Sequence, residues 1–272
     1  MLARSRMLLA EFGQPDPPFI PEALGHIQGI IEVRRRDIPF DACLLPVGSH
    51  YRVDVCKYHR AERQSFSIAH ETAHTFLIEL EPCLRAPKRE AGIGKFRNGD
   101  FIEELCDSAA AELILPMSLF ARHALEAGPS LESALSLSSM YRSSLISTAR
   151  RIAETDLWKC HCVIWGDTNI GERTNGSLEA KVVFTSPAAA RISPGEIGIQ
   201  SDSTVYEALS TNRIAKRREQ LTLAGEVHDY YVESMRLGNG DFGRVLSMIL
   251  LAKHPEYAAR HTRKSLQMPL FR

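Results

Sequence analysis

Two histidines and a glutamate lie in one short stretch of the chain, His70-Glu71-Thr72-Ala73-His74. Side chains four residues apart lie on one face of an α-helix, so both imidazoles can reach a single metal ion. Glu71 directly follows the first histidine and can act as a general base toward water at that ion. The spacing therefore predicts a zinc-dependent hydrolase site. The competing interpretation is a surface helix with two incidental histidines.

A predicted amphipathic helix carries this motif. Apolar residues recur at i, i+3 and i+4 intervals from residue 66 to about residue 80, with both histidines at the border of the apolar stripe. Ser65 is the predicted N-cap. Pro82 predicts an end near Leu80, because a proline disfavours helical backbone in the residue before it. Residues 81–100, rich in proline, glycine and basic residues, are predicted to form a loop that borders the site.

A second predicted helix, over residues 102–113, supplies the ligand that the motif lacks. A catalytic zinc site uses three protein ligands and keeps one position for water. Glu103 is the predicted third ligand. Asp107, one turn later, is predicted to accept a hydrogen bond from the other ring nitrogen of a ligating histidine. Glu112 is a weaker rival ligand, because it lies more than two turns beyond Glu103. Without the upstream motif, this helix face would be interpreted as a solvated charged surface.

Two sequence blocks therefore occur in order: RQSFSIAHETAH at residues 63–74 and EELCDSAAAELILP at residues 103–116. They resemble the signature blocks of the ImmA/IrrE family of metallopeptidases, approximately R-x-x-F-[ST]-[LI]-A-H-E-x-x-H and E-x-x-[AC]-[ND]-x-x-A-A-x-[LI]-[LI]-[LM]-P. One departure is Ala73, where the family usually has glycine. The resemblance implies a zincin-like fold and five functional residues. His70, His74 and Glu103 are the implied zinc ligands, Glu71 is the implied base, and Asp107 is implied to hydrogen-bond a ligating histidine.

The resemblance also implies a function. Members of the family cleave, or act on, DNA-binding transcriptional repressors after stress or DNA damage, and some belong to mobile elements. The expected function is therefore a Zn²⁺ endopeptidase whose substrate is a repressor protein, although the motif leaves open another divalent ion such as Mn²⁺. Tyr141, His123 and Tyr231 are candidate donors for the developing oxyanion. The alternatives are a non-hydrolytic metal-binding regulator or sensor that acts through protein partners, and a metal-dependent DNA-binding regulator.

Three parts of an α+β protein are predicted. Residues 1–125 form a zincin-like metallopeptidase domain, and residues 126–157 form a small helical subdomain, with a helix-turn-helix as the alternative. Residues 158–272 form a C-terminal α+β domain, within which residues 241–253 are predicted to be a helix. Some family members carry a GAF-like sensory domain at this place, so that label rests on position alone. Residues 42–55 are predicted to form a hairpin before the motif helix.

Composition and charge argue against other classes of protein. The chain has 33 basic and 33 acidic side chains, a net charge of zero and a pI of about 7.1, so direct nucleic-acid binding is not expected. The longest strongly apolar run near the C-terminus, residues 248–252, is too short to cross a bilayer, and the N-terminus lacks a signal-peptide pattern. Six cysteines without a CxxC pair fit reduced thiols, so we expect a cytoplasmic protein. Cys160 and Cys162 are predicted to be buried strand residues rather than metal ligands.

Overall fold

A computed structural model of the chain describes residues 1–80, 99–167, 178–238 and 243–251. Across these ranges it contains eight α-helices and two β-sheets, which confirms the predicted α+β class. The chain clusters into two compact units, Met1–Leu119 with Ser138–Ser144, and Phe120–Leu137 with Leu145–Arg272. The three-part division and the GAF-like label stay predictions. None of the helices in the described ranges has the length and hydropathy that a bilayer crossing requires.

The first unit is built on a three-stranded sheet. Its elements are α1 (Leu2–Phe12), α2 (Pro21–Ile27), β1 (Ile30–Arg36), β2 (Ala42–Val47), β3 (His50–Cys56), α3 (Ala61–Leu80) and α4 (Gly99–Ile114). The strand order is β1-β3-β2; β1 is parallel to β3 and β2 is antiparallel to it, which confirms the predicted hairpin. Across the described residues, β2 is therefore an edge strand. Ile30, Val53 and Ile68 form a buried core between this sheet and α3.

The motif helix, α3, begins one turn earlier than predicted. It starts at Ala61, so the assignment of Ser65 as N-cap was wrong, whereas the predicted end is confirmed. The added turn is polar. Arg63 binds both carboxylate oxygens of Asp41 at 2.8 Å, and the Gln64 amide donates to backbone carbonyls between β3 and α3. These contacts stabilise a turn without apolar periodicity, so the apolar pattern placed the start too late. The loop predicted for residues 81–100 lies outside the described residues, apart from 99–100, which begin α4.

The chain continues into a six-stranded antiparallel sheet with flanking helices. The elements are α5 (Met117–Ala127), α6 (Leu131–Tyr141), α7 (Leu145–Thr155), β4 (Cys160–Asp167), β5 (Leu178–Thr185), β6 (Ile197–Ile199), α8 (Thr204–Thr211), β7 (Ala215–Leu223), β8 (Glu226–Leu237) and β9 (Arg244–Leu250). The strand order is β5-β4-β9-β8-β7-β6, with every neighbouring pair antiparallel. The sheet thus pairs its first strand in sequence, β4, with its last, β9.

The helix predicted for residues 241–253 was wrong, because the described part of this segment is the strand β9. It lies between β4 and β8, and its residues from Val245 to Leu250 are at most 5% exposed. A strand buried on both faces has a continuous apolar sequence without alternation. Periodicity cannot distinguish such a strand from a buried helix, and length alone favoured the helix. Residues 241–242 and 252–253 lie outside the described ranges.

Buried hydroxyl groups join α8 to this sheet. Trp165 Nε1 donates to Ser247 Oγ at 2.9 Å, Ser247 Oγ lies 2.7 Å from Ser234 Oγ, and Ser234 Oγ lies 2.8 Å from Thr204 Oγ1. The backbone N–H of Thr204, at the start of α8, donates to Glu219 at 2.7 Å. A buried polar group is costly unless it is hydrogen-bonded. The chain of bonds therefore fixes where α8 lies on the sheet.

The cysteines of β4 are fully buried, as predicted, and their sulfurs lie 3.9 Å apart on one face of the strand. His161 lies between them and is 2% exposed, with Nδ1 3.1 Å from Thr185 Oγ1. Burial lowers the pKa of His161 to about 4. The ring is therefore neutral at physiological pH, and protonation opposes folding.

Candidate metal centre

Helices α3 and α4 bring the three predicted ligands together. Ligand atoms of His70, His74 and Glu103 all lie within 4.8 Å of one another. His70 Nε2 is 3.1 Å from His74 Nε2 and 3.0 Å from Glu103 Oε2, and His74 Nε2 is 3.8 Å from Glu103 Oε1. Ligands on a tetrahedral zinc ion, with bonds of about 2.0–2.1 Å, lie about 3.3 Å apart. The distances between donor atoms of the three side chains are therefore of the size that zinc requires.

The hydrogen bonds around the cluster also fit a cation. Asp107 Oδ1 lies 2.8 Å from His70 Nδ1. A neutral imidazole that donates from Nδ1 presents a lone pair at Nε2. Three electron-pair donors then face one point, from His70, His74 and Glu103. In addition, Glu103 Oε1 is buried without a hydrogen-bond partner among the described residues. A positive ion would satisfy this oxygen, so the donor set fits a divalent metal such as zinc.

The two histidines differ in their electrostatics. Burial, together with the smaller effect of the neighbouring His70, lowers the pKa of His74 to about 4, so His74 is neutral and ready to bind a metal. Burial also acts to lower the pKa of His70. There, the hydrogen bond to Asp107 and the charges of neighbouring carboxylates outweigh burial, and the pKa is raised. A proton therefore competes for His70, and metal binding should release it.

Glu71 is a buried carboxyl beside the edge strand β2. It is 9% exposed, and burial raises its pKa to about 7, although a hydrogen bond from the Leu44 backbone N–H opposes the rise. A carboxyl with a pKa near 7 can both accept and return a proton at neutral pH. The contact with Leu44 was not predicted from the sequence, because it depends on how β2 packs beside α3.

Cys106 is a second contact that was not predicted. Its sulfur lies 3.5 Å from His74 Nδ1, and the residue is fully buried. The group of mutually close ligand atoms does not include it, so Cys106 is not a fourth ligand of the described cluster. The spacing could have placed Cys106 near the site, because it lies three residues after Glu103 and therefore on the helix face that also carries Asp107.

Glu112, the rival ligand, lies outside the cluster. Its side chain is 3% exposed and accepts a hydrogen bond from Arg6 Nε of α1 at 2.9 Å. Its other oxygen accepts from the backbone N–H of Met117, the first residue of α5, at 3.2 Å. Ser5, also on α1, donates to the backbone carbonyl of Ala109 at 3.3 Å. These contacts give Glu112 a role in holding α1 and the backbone at Met117 to the helix that carries Glu103.

The candidate oxyanion donors lie in different units. Tyr141 is 1% exposed and belongs to the first unit, which also contains α3 and α4, whereas His123 and Tyr231 belong to the second. The identity of the donor stays a prediction.

Comparison with known families agrees with this geometry. The model of peptidase family M78, described as the IrrE N-terminal-like domain, matches residues 35–153. These residues form an IrrE N-terminal-like domain. All five predicted site residues lie inside the IrrE N-terminal-like domain, whereas α1 and α2 precede it. The family is metal-dependent, so its match and the His-His-Glu cluster together support a metallopeptidase-type domain.

A solved structure extends the likeness beyond the IrrE N-terminal-like domain. A Mycobacterium tuberculosis transcriptional regulator superposes with a TM-score of 0.60 at 15% sequence identity, covering 99% of this chain and 92% of that chain. At this identity the likeness concerns the fold. No curated protein has a significant sequence match to the chain.

Proposed function

We propose that the chain is a zinc endopeptidase that cleaves a DNA-binding transcriptional repressor in a stress or mobile-element response. The observation that carries the proposal is the convergence of His70, His74 and Glu103, with Glu71 on the same helix as the two histidines. The cluster contains three protein ligands among the described residues. A structural zinc site usually has a fourth protein ligand and needs no base, so this donor set supports a catalytic site.

Each site residue has a separate task. His70, His74 and Glu103 would hold the ion, which when bound supplies Lewis acidity that polarises the scissile carbonyl and acidifies water. Glu71 takes the proton of the attacking water and passes it to the leaving amine, as a pKa near 7 allows. Asp107 holds the His70 ring through its 2.8 Å bond.

The edge strand β2 is the proposed binding place for the substrate backbone. An extended peptide can add as a further strand to a sheet edge through backbone hydrogen bonds. The Leu44 N–H on this strand reaches the Glu71 carboxyl, so a peptide paired with β2 would lie beside the base. Arg63 and Asp41 anchor the start of β2 to the first turn of α3.

The family resemblance supports a repressor as the substrate. The name of the solved structure, a transcriptional regulator, agrees with a role in transcription and says nothing about a substrate. Cleavage requires contact with a protein, so we propose a protein partner and no direct role for nucleic acid. The even balance of 33 basic and 33 acidic side chains agrees with this choice. A cytoplasmic location follows from such a substrate.

Glu71→Gln tests the proposal. The full chain is co-expressed with the repressor encoded by a neighbouring gene, and repressor fragments are followed by mass spectrometry. We expect wild-type protein to cleave, and Glu71→Gln to bind stoichiometric zinc without cleaving. Glu62, in the first turn of the same helix and outside the metal cluster, gives a matched control, and Glu62→Gln should cleave normally. Equal cleavage by wild type and Glu71→Gln would contradict the mechanism. Zinc binding without cleavage by wild type would favour a non-hydrolytic regulator.

A further inference from the structure

We propose that Cys106 is a positioning residue for His74: its sulfur accepts a hydrogen bond from Nδ1 and thereby sets the tautomer and orientation of this ligand. The inference rests on the proposed metal site. It assigns to this chain's own cysteine the task that Asp107 performs for His70.

The tautomer of His74 follows from the cluster. Its Nε2 lies 3.1 Å from His70 Nε2 and faces the point where the ligand atoms converge. A nitrogen that binds a metal carries no proton, so the proton of the neutral ring must be on Nδ1. Cys106 Sγ lies 3.5 Å from that nitrogen, within reach of an N–H···S hydrogen bond because sulfur is larger than oxygen.

Cys106 is placed to accept this bond. The residue is fully buried on α4, and a thiol sulfur can accept a hydrogen bond weakly. Because Cys106 stays outside the group of mutually close ligand atoms, its contact is with the ring of His74 rather than with the ion.

The packing of α4 on α3 gives each of the two histidines its own partner on α4. Consecutive residues of α4, Cys106 and Asp107, meet the two histidines that lie one turn apart on α3. A thiol is a weaker acceptor than a carboxylate. His74 is therefore fixed in place while its basicity rises less than that of His70.

Zinc affinity of the full-length protein tests this role. We compare wild type, Cys106→Ala, Cys106→Ser and a control, Cys56→Ala, which removes another buried thiol in the same unit. Zn²⁺ dissociation constants are measured by competition with a chromophoric chelator, and thermal melting of the metal-free proteins is recorded alongside. The absorption spectrum of the Co²⁺-substituted protein reports ligand geometry, which a loss of packing elsewhere would not change.

We expect Cys106→Ala to weaken zinc binding about tenfold, at the lower end of the range for partners that orient a ligand, and to alter the Co²⁺ spectrum. Cys106→Ser should stay within about threefold of wild type, because a hydroxyl can accept the same bond. Cys56→Ala should bind zinc like wild type.

Four results would overturn the proposal. Wild-type affinity in Cys106→Ala would remove the role of the thiol, and so would an equal loss in Cys56→Ala. A serine variant as weak as the alanine variant would contradict a hydrogen bond. A wild-type protein that binds no zinc would refute the proposed function as well, whereas the first three results leave zinc binding by wild type intact.

Discussion

Replacing Asp107 with alanine should weaken metal binding while leaving the fold intact. Asp107 Oδ1 is 2.8 Å from His70 Nδ1, and the aspartate side chain is 45% exposed. An exposed carboxylate contributes little to folding, so the free energy of unfolding should change by less than about 1 kcal/mol. Its bond to the ligand should nevertheless matter, because it selects the His70 tautomer that presents a lone pair to the metal.

The expected magnitude follows from this geometry. Loss of a partner that orients a metal ligand typically costs 10- to 100-fold in affinity, or about 1.4–2.7 kcal/mol. Water can replace part of the interaction at a half-exposed carboxylate, so we expect Asp107→Ala to lie near the lower end, at about 10- to 20-fold. Asp107→Asn keeps an acceptor oxygen and should lose less.

Chelator competition gives the dissociation constants, and thermal melting with excess zinc gives an independent estimate, since ligand binding stabilises by an amount set by its concentration and affinity. Glu104→Ala is the matched control: Glu104 is the exposed carboxylate next to Glu103 on α4, and about 100° of helical rotation separates it from that ligand. Wild-type zinc affinity in Asp107→Ala would refute the reasoning, as would an equal loss in Glu104→Ala.

Three further predictions concern stability. Arg6→Ala should destabilise the first unit by about 1–2 kcal/mol, because Glu112 is buried and loses a charged partner. Circular dichroism during urea unfolding measures the loss of stability. An unchanged unfolding midpoint would contradict the prediction. Ser234→Ala should lower the free energy of unfolding by about 1–3 kcal/mol, because Ser247 loses a hydrogen-bond partner at 2.7 Å. Fluorescence of the two tryptophans, both in the second unit, follows unfolding. An unchanged free energy of unfolding would refute the buried network. His161 has a folded pKa of about 4 against about 6.5 unfolded, so only the unfolded state gains its proton as pH falls between these values. The free energy of unfolding should therefore fall by on the order of 3 kcal/mol over this range. His161→Gln should flatten that slope, and an unchanged slope would exclude His161 as its source.

The sequence was sufficient where chemistry and periodicity agreed. The clustering of His70, His74 and Glu103 could be predicted because metal sites require particular residue types, and the helical spacing on α3 and α4 puts those types on facing surfaces. The hairpin of β2 and β3 could be predicted because Gly48 lies in a turn between two apolar segments, and its φ of +62° is a conformation that glycine readily adopts.

The sequence was insufficient where structure depends on packing between distant segments. Strand β9 has the composition of a buried helix, and only its position between β4 and β8 makes it a strand. The contacts of Leu44 with Glu71 and of Cys106 with His74 join segments that are 27 and 32 residues apart. Spacing on a single element carries no information about such contacts, so they become visible only when the elements are assembled.

A crystal structure of the zinc-loaded protein, with anomalous diffraction recorded at the zinc edge, tests the central claim most directly. The account predicts one anomalous peak bound by His70 Nε2, His74 Nε2 and the Glu103 carboxylate, with a solvent molecule in the remaining position and Glu71 unligated. A zinc ion closed by a fourth protein ligand, or bound away from α3 and α4, would contradict it.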